Sequence, residues 1–119
     1  MAGDWFLVRI SAVEQAALVA SSALAGAPEV LAPARTNRLA NVPLPLIAQD
    51  LASRGAEQRG LVASAYREYE HQVASLRADV VRALVDEEGM HLSRLAEQMG
   101  ISRQALTRVY RKGRDQHTD

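Results

Sequence analysis

Ser102, Arg103, Gln104, Thr107, Arg108, Arg111, Lys112 and Arg114 put hydroxyl, amide, guanidinium and ammonium donors on a stretch that holds no acid before Asp115. On a helix, positions 103, 104, 107, 108 and 111 share one face. Arginine can donate two bonds to guanine O6 and N7, and glutamine can pair with the edge of adenine, each worth about 1–3 kcal/mol of discrimination. Arg103, Gln104 and Arg108 are therefore candidates for reading base edges, with Ser102 and Thr107 beside them. Arg111, Lys112 and Arg114 lie further along, where a helix leaves a groove, and suit phosphates, which add affinity without sequence information. The plain alternative is a basic helix face that is only solvated.

Such a face needs a support that holds it outward. Leu92, Leu95, Ala96 and Met99 follow the i, i+3, i+4, i+7 stripe of a short helix. Ala96 is small enough to let a second helix approach. Gly100 suits a left-handed residue at the helix end, Ile101 is expected to plug the turn, and Ser102 to cap the next helix. That helix, 103–112, buries Ala105, Leu106 and Val109, with Gly113 as its expected stop.

Leu92 to Arg111 resembles the helix-turn-helix of bacterial and phage transcription regulators and of the DNA-binding tails of site-specific recombinases. The match rests on the small residue Ala96, on Gly100, and on the apolar residues Leu95, Met99, Ile101, Leu106 and Val109. It covers about a sixth of the chain. The resemblance implies base contacts from the first two turns of the second helix, which fall on Ser102, Arg103, Gln104, Thr107 and Arg108.

The 14 basic and 14 acidic residues cancel over the 119-residue chain, so no global field draws it to nucleic acid. Locally, five basic residues and no acid occupy 101–114, while Asp86, Glu87 and Glu88 crowd the segment before. The absence of cysteine removes any disulfide framework and is compatible with a reducing cytoplasm. The apolar N-terminal stretch is interrupted by Asp4, Arg9 and Glu14 and lacks a basic leader. We expect neither a signal peptide nor a run of the ~20 apolar residues a membrane span needs. The expectation is a soluble, cytoplasmic protein of a bacterium.

The fold is expected to be mainly α, a small helical protein with the two-helix unit at its C-terminus. Trp5–Ile10 reads either as a short strand or as first helical turns. Ser11 and Glu14 read as a capping box that starts a helix at Ala12, ended by Gly26 and Pro28. Three prolines and two asparagines make 27–43 a loop. Pro45 opens a helix from Leu46 to Ser53, closed by Gly55. From Gln58 to Val85, Val62, Tyr66, Tyr69, Val73, Leu76, Val80 and Ala83 alternate in steps of four and three, the seam of a helix pair. Its last turns would pack Val80, Val81, Leu84 and Val85 across Leu95 and Leu106. The division that follows is 1–60, a helical dimerisation region; 61–85, a connecting helix; 86–114, the helix-turn-helix; and 115–119, a disordered tail.

That seam pairs either within the chain, against the Ala12–Ala25 helix, or between chains. Two recognition helices on a twofold axis would meet half-sites about 34 Å apart, which favours a homodimer anchored by Trp5, Phe6, Tyr66 and Tyr69. No catalytic motif emerges: His71, His91 and His117 are scattered, and there is neither HExxH nor a phosphate-cradling glycine loop. Asp86, Glu87, Glu88 and His91 form the one cluster with cation-binding chemistry, and a solvated helix end explains them equally well. The expected partner is double-stranded DNA, with no enzyme activity, cofactor or membrane. The leading expectation is a sequence-specific transcription regulator, a dimeric repressor. Alternatives are an accessory protein of a mobile element or partition system, an antitoxin that also binds a toxin, and a sigma-like factor that binds RNA polymerase. The DNA sequence recognised and any small-molecule effector are not legible.

Overall fold

The computed structural model describes residues 4–117. They form five helices: α1 (Asp4–Ala25), α2 (Ala27–Leu39), α3 (Leu44–Asp86), α4 (Leu92–Met99) and α5 (Arg103–Gln116). Among the described residues there is no strand, so Trp5–Ile10 is helical. Asp4 in the first turn complements the helix dipole, and the Trp5 ring stacks under the Arg82 guanidinium, 5.6 Å from the ring centre. These contacts outweigh a β propensity that depends on context. Because α1 begins at Asp4, Ser11 and Glu14 lie inside the helix and form no capping box.

Two further expectations from proline and glycine are corrected. The segment 27–43 is helical as far as Leu39, with Pro28 at the first turn, where no N–H is needed, and Pro33 inside. The flanking alanines, leucines and arginines supply the propensity to carry the helix past one missing bond. The true connection is the short turn 40–43, where Asn41 takes φ 63°, a left-handed position that asparagine tolerates. Gly55 and Gly60 do not end a helix either. Each costs about 1 kcal/mol of propensity, and the 43-residue α3 runs through both.

The chain divides into two compact units, one of Met1–Val13 with Glu70–Asp119 and one of Glu14–Tyr69. In the first, Val81, Leu95, Ala96 and Leu106 form a buried cluster, with Leu84, Val85, Met90, Leu92, Val109 and Tyr110 packed around it. Val73, Leu76 and Val80 are only half-buried. The most covered residues of α3 are instead Ser75, Ala78, Asp79 and Val81. A heptad reading selects large apolar residues, whereas this face is lined by small and polar ones because another backbone crosses it. The crossing element is α5 at Gly113, which is buried within the helix and does not stop it. A Cβ there would overlap the Ala78 carbonyl oxygen and lie 2.8 Å from its carbon and 3.0 Å from Arg82 Cβ.

A polar knot closes the same region. Asp79 is fully buried and accepts from Arg9 Nε at 2.5 Å and Gln116 Nε2 at 2.6 Å, with His117 Nε2 3.0 Å from its Oδ1. Gln116 also donates to the Ser75 carbonyl at 3.2 Å. Residues 115–117 are thus the end of α5 and its cap rather than a disordered tail. Residues 118 and 119 lie outside the described residues. Trp5, expected as a dimer anchor, is half-buried and packs edge-on to His117 at 6.0 Å within this unit.

In the second unit the covered residues are Ala16 and Ile47, and Gln58 Nε2 donates to the Ala23 carbonyl at 2.5 Å. Tyr66 is exposed, with its ring 6.2 Å from that of Tyr69. The helical stretch Asp4–Leu39 contains an 18-residue window of mean hydropathy 1.3. By length and composition alone it is apolar enough to cross a membrane.

Candidate nucleic-acid interface

The α4–α5 turn is built by local rules. Gly100 adopts φ 70°, ψ 28°, which lets its own N–H reach Glu97 O at 3.3 Å and the Ile101 N–H reach Ala96 O at 3.1 Å. Two carbonyls at the end of α4 are thereby satisfied. Ser102 is extended, and its hydroxyl oxygen accepts the Ala105 N–H at 3.1 Å, capping α5. Leu106 is wholly buried against Ala96 and Leu95. Ile101 and Met99, expected inside, are 38% and 39% exposed. The hydrogen bonds of the glycine turn fix its path, so no plug is required.

With α5 anchored by Leu106 and Val109 on one side, its opposite side faces outward. Arg103, Gln104, Thr107, Arg108 and Arg111 line a single shallow hollow. Arg103, Gln104, Arg108 and Arg111 are exposed, and Thr107 is half-buried. The Thr107 hydroxyl donates to Arg103 O at 2.8 Å, which uses its proton and leaves the oxygen able only to accept. The Ser102 hydroxyl is engaged in the cap. Of the sequence candidates, the three base-reading ones and Arg111 therefore come together on one face.

Lys112 lies on a different flank, in a hollow shared with Ala74 and Arg77 of α3 and with Arg108 and Val109 of α5. Arg77 is exposed and extends the basic surface onto a second helix. Sequence reasoning missed it because nothing local ties position 77 to position 112. Arg94 is a similar addition: with Ser93 at the start of α4, it lines a hollow that also includes Arg103. Arg114 is placed apart from these, its guanidinium over the Tyr110 ring at 5.9 Å.

The acids before α4 have structural partners. Tyr110 donates its hydroxyl to Asp86 Oδ1 at 2.6 Å, and Arg82 Nη2 donates to Glu87 Oε2 at 3.1 Å. The bond to Asp86 holds the Tyr110 phenol above its ordinary range, with desolvation and the negative charge of Asp86 adding to it and Arg114 opposing. Asp86, Glu87, Glu88 and His91 do not gather into a cation site, and among the described residues no group of three or more ligating side chains does. In comparison with known proteins, no family model matches the chain, and no curated protein and no solved structure matches it either.

Proposed function

We propose that this chain is a sequence-specific DNA-binding transcription regulator, a cytoplasmic homodimer that represses by occupying its site. In this reading α4, the turn 100–102 and α5 are a helix-turn-helix, and α5 enters the major groove. The observation that carries the reading is the grouping of Arg103, Gln104, Thr107, Arg108 and Arg111 around one outward hollow, on a helix whose opposite side is fixed by the buried Leu106. Rigid presentation matters because a base-edge contact pays only when the donor is held in register with the groove. Arg103, Gln104 and Arg108 read bases. Arg111 and Lys112 neutralise phosphates, joined by Arg77 from α3. No cofactor and no catalytic step is part of this reading.

Selection of bound duplexes from a random library tests it. The expected product is an enriched motif with two symmetry-related halves about one helical turn apart. Recovery of unenriched sequence, at an affinity unchanged by Arg103→Ala and Arg108→Ala together, would overturn it.

A further inference from the structure

The unit Glu14–Tyr69 is unfinished as a hydrophobic object. Its covered residues are Ala16 and Ile47, while Leu18, Val19, Leu24, Leu31, Leu46 and Leu61 are between 51% and 63% exposed. A fully buried aliphatic side chain removes roughly 100 Å² from water, so these six offer about 350 Å² of apolar surface. Leu39 and Leu44 are also exposed, and with them the total reaches about 490 Å², comparable to the ~450 Å² of apolar area on one side of a standard interface of ~800 Å² per partner. Exposed apolar surface of several hundred Å² commonly marks an interaction site.

We infer that what covers it is a second copy of this chain, joined through α1 from Glu14 onward, α2 and the first half of α3. The inference gives a surface to the homodimer of the regulator reading and in that respect rests on it. Two observations select the occupant. A lipid bilayer is the obvious competitor, but the first turns of α1 are already engaged: Arg9 is bound to Asp79, and Trp5 packs on Arg82 and His117. From Glu14 to Ala25, α1 then has about 18 Å of free length at 1.5 Å per residue, against a hydrocarbon core of ~30 Å. Beyond Gly26, Glu29, Arg35 and Arg38 follow on α2. The second observation is charge. From Gln15 to Pro28 no ionisable side chain occurs, so the α1 part of this surface can meet its own twofold image without apposing like charges, and α2 beside it carries both signs in Glu29, Arg35 and Arg38.

The chain lacks cysteine, which makes site-directed cross-linking clean. Leu18→Cys and Leu24→Cys, each in the full chain, are oxidised without DNA, with Arg111→Cys as the control position. Wild-type mass is measured by sedimentation from 1 to about 100 µM, alongside Leu18→Glu/Leu24→Glu, whose helicity is checked by circular dichroism. The expected result is a wild-type particle of twice 12.9 kDa, a covalent dimer from either α1 cysteine but not from Arg111→Cys, and at least tenfold weaker association for the glutamate variant. A monomer throughout, cross-linking no better at 18 and 24 than at 111, or flotation with anionic phospholipid vesicles in place of self-association would each overturn the proposal. Association by the wild type but not by the glutamate variant, with no DNA motif recovered, would leave this surface standing and remove the regulator reading. A recovered half-site bound equally by monomeric chains would do the reverse.

Discussion

Gly113 of α5 meets the backbone of Ala78 in α3 at a distance that leaves no room for a side chain. A Cβ would overlap the Ala78 carbonyl oxygen, with the carbonyl carbon 2.8 Å away and Arg82 Cβ at 3.0 Å. Glycine here sets how closely α5 lies on α3, and through that the position of Arg108 and Arg111, five and two residues earlier.

Gly113→Ala separates two opposed effects. Helix propensity alone makes alanine more stable by about 0.8–1 kcal/mol, while forcing a methyl into a packed backbone contact costs about 1–3 kcal/mol. Because the obstacle is backbone and cannot rotate away, the second effect wins. Urea unfolding should show a variant less stable than wild type by about 1 kcal/mol or more, and a gain in stability would mean the helices do not touch there.

Asp79 is the other structural pivot of this unit, a carboxylate 1% exposed with Arg9 at 28% and with Gln116 and His117 on its other oxygen. Removing the acid leaves the Arg9 and Gln116 donors facing a pocket without an acceptor, with the His117 ring beside them. Breaking a buried pair on one side costs about 3–5 kcal/mol, and the partial exposure of Arg9 puts Asp79→Ala at the lower end, about 3 kcal/mol. A loss under 1 kcal/mol in the same unfolding assay would show that the knot contributes little.

How much of this could be read in advance depended on sequence separation. The α4–α5 elbow was legible because its determinants are neighbours: Ser102 caps three residues ahead, Gly100 closes on Ala96 and Glu97, and Leu106 covers Ala96. The shared face of Arg103, Gln104 and Arg108 follows from the same local geometry. Asp79 was not legible, since its partners are 70 and 37 residues away and its own α3 neighbours suggest an apolar seam. Gly113 read as a helix stop for the same reason, because the contact that requires a glycine is on another helix. The Pro33 and Gly55 signals failed differently: each carries a modest local cost, and a long run of good helix formers overcame it.

Tyr110 supplies a pH test with a defined sign. Its phenol is raised above the usual ~10, chiefly by the hydrogen bond it donates to Asp86. The folded state thus holds the proton more tightly than the unfolded chain does. The stabilisation is fully present below pH ~10 and is lost as pH rises through the higher folded value. Wild type and Tyr110→Phe should differ by a constant margin from pH 7 to 9 and converge above pH ~10, as followed by denaturation midpoints. A margin that stays constant into the alkaline range would remove the Asp86 bond as its source.

The basic surface of α5 divides, on the regulator reading, into side chains that choose a sequence and side chains that only hold DNA. Arg103 and Gln104 line the outward hollow, Arg108 lines both that hollow and the flanking one, and Lys112 shares the flanking one with Arg77 of α3. Arg103→Ala or Arg108→Ala should relax preference at one base position per half-site and cost about 1–3 kcal/mol against the best site. Lys112→Ala and Arg77→Ala should weaken every duplex alike, each lowering the slope of log K against log salt by about one. Arg114→Ala should change the slope least, since its guanidinium lies over Tyr110. Binding titrations at several salt concentrations, on a selected duplex and a scrambled one, check all five variants together. Equal loss on both duplexes for Arg103→Ala, or a sequence-dependent loss for Arg77→Ala, would show that α5 approaches DNA in some other orientation.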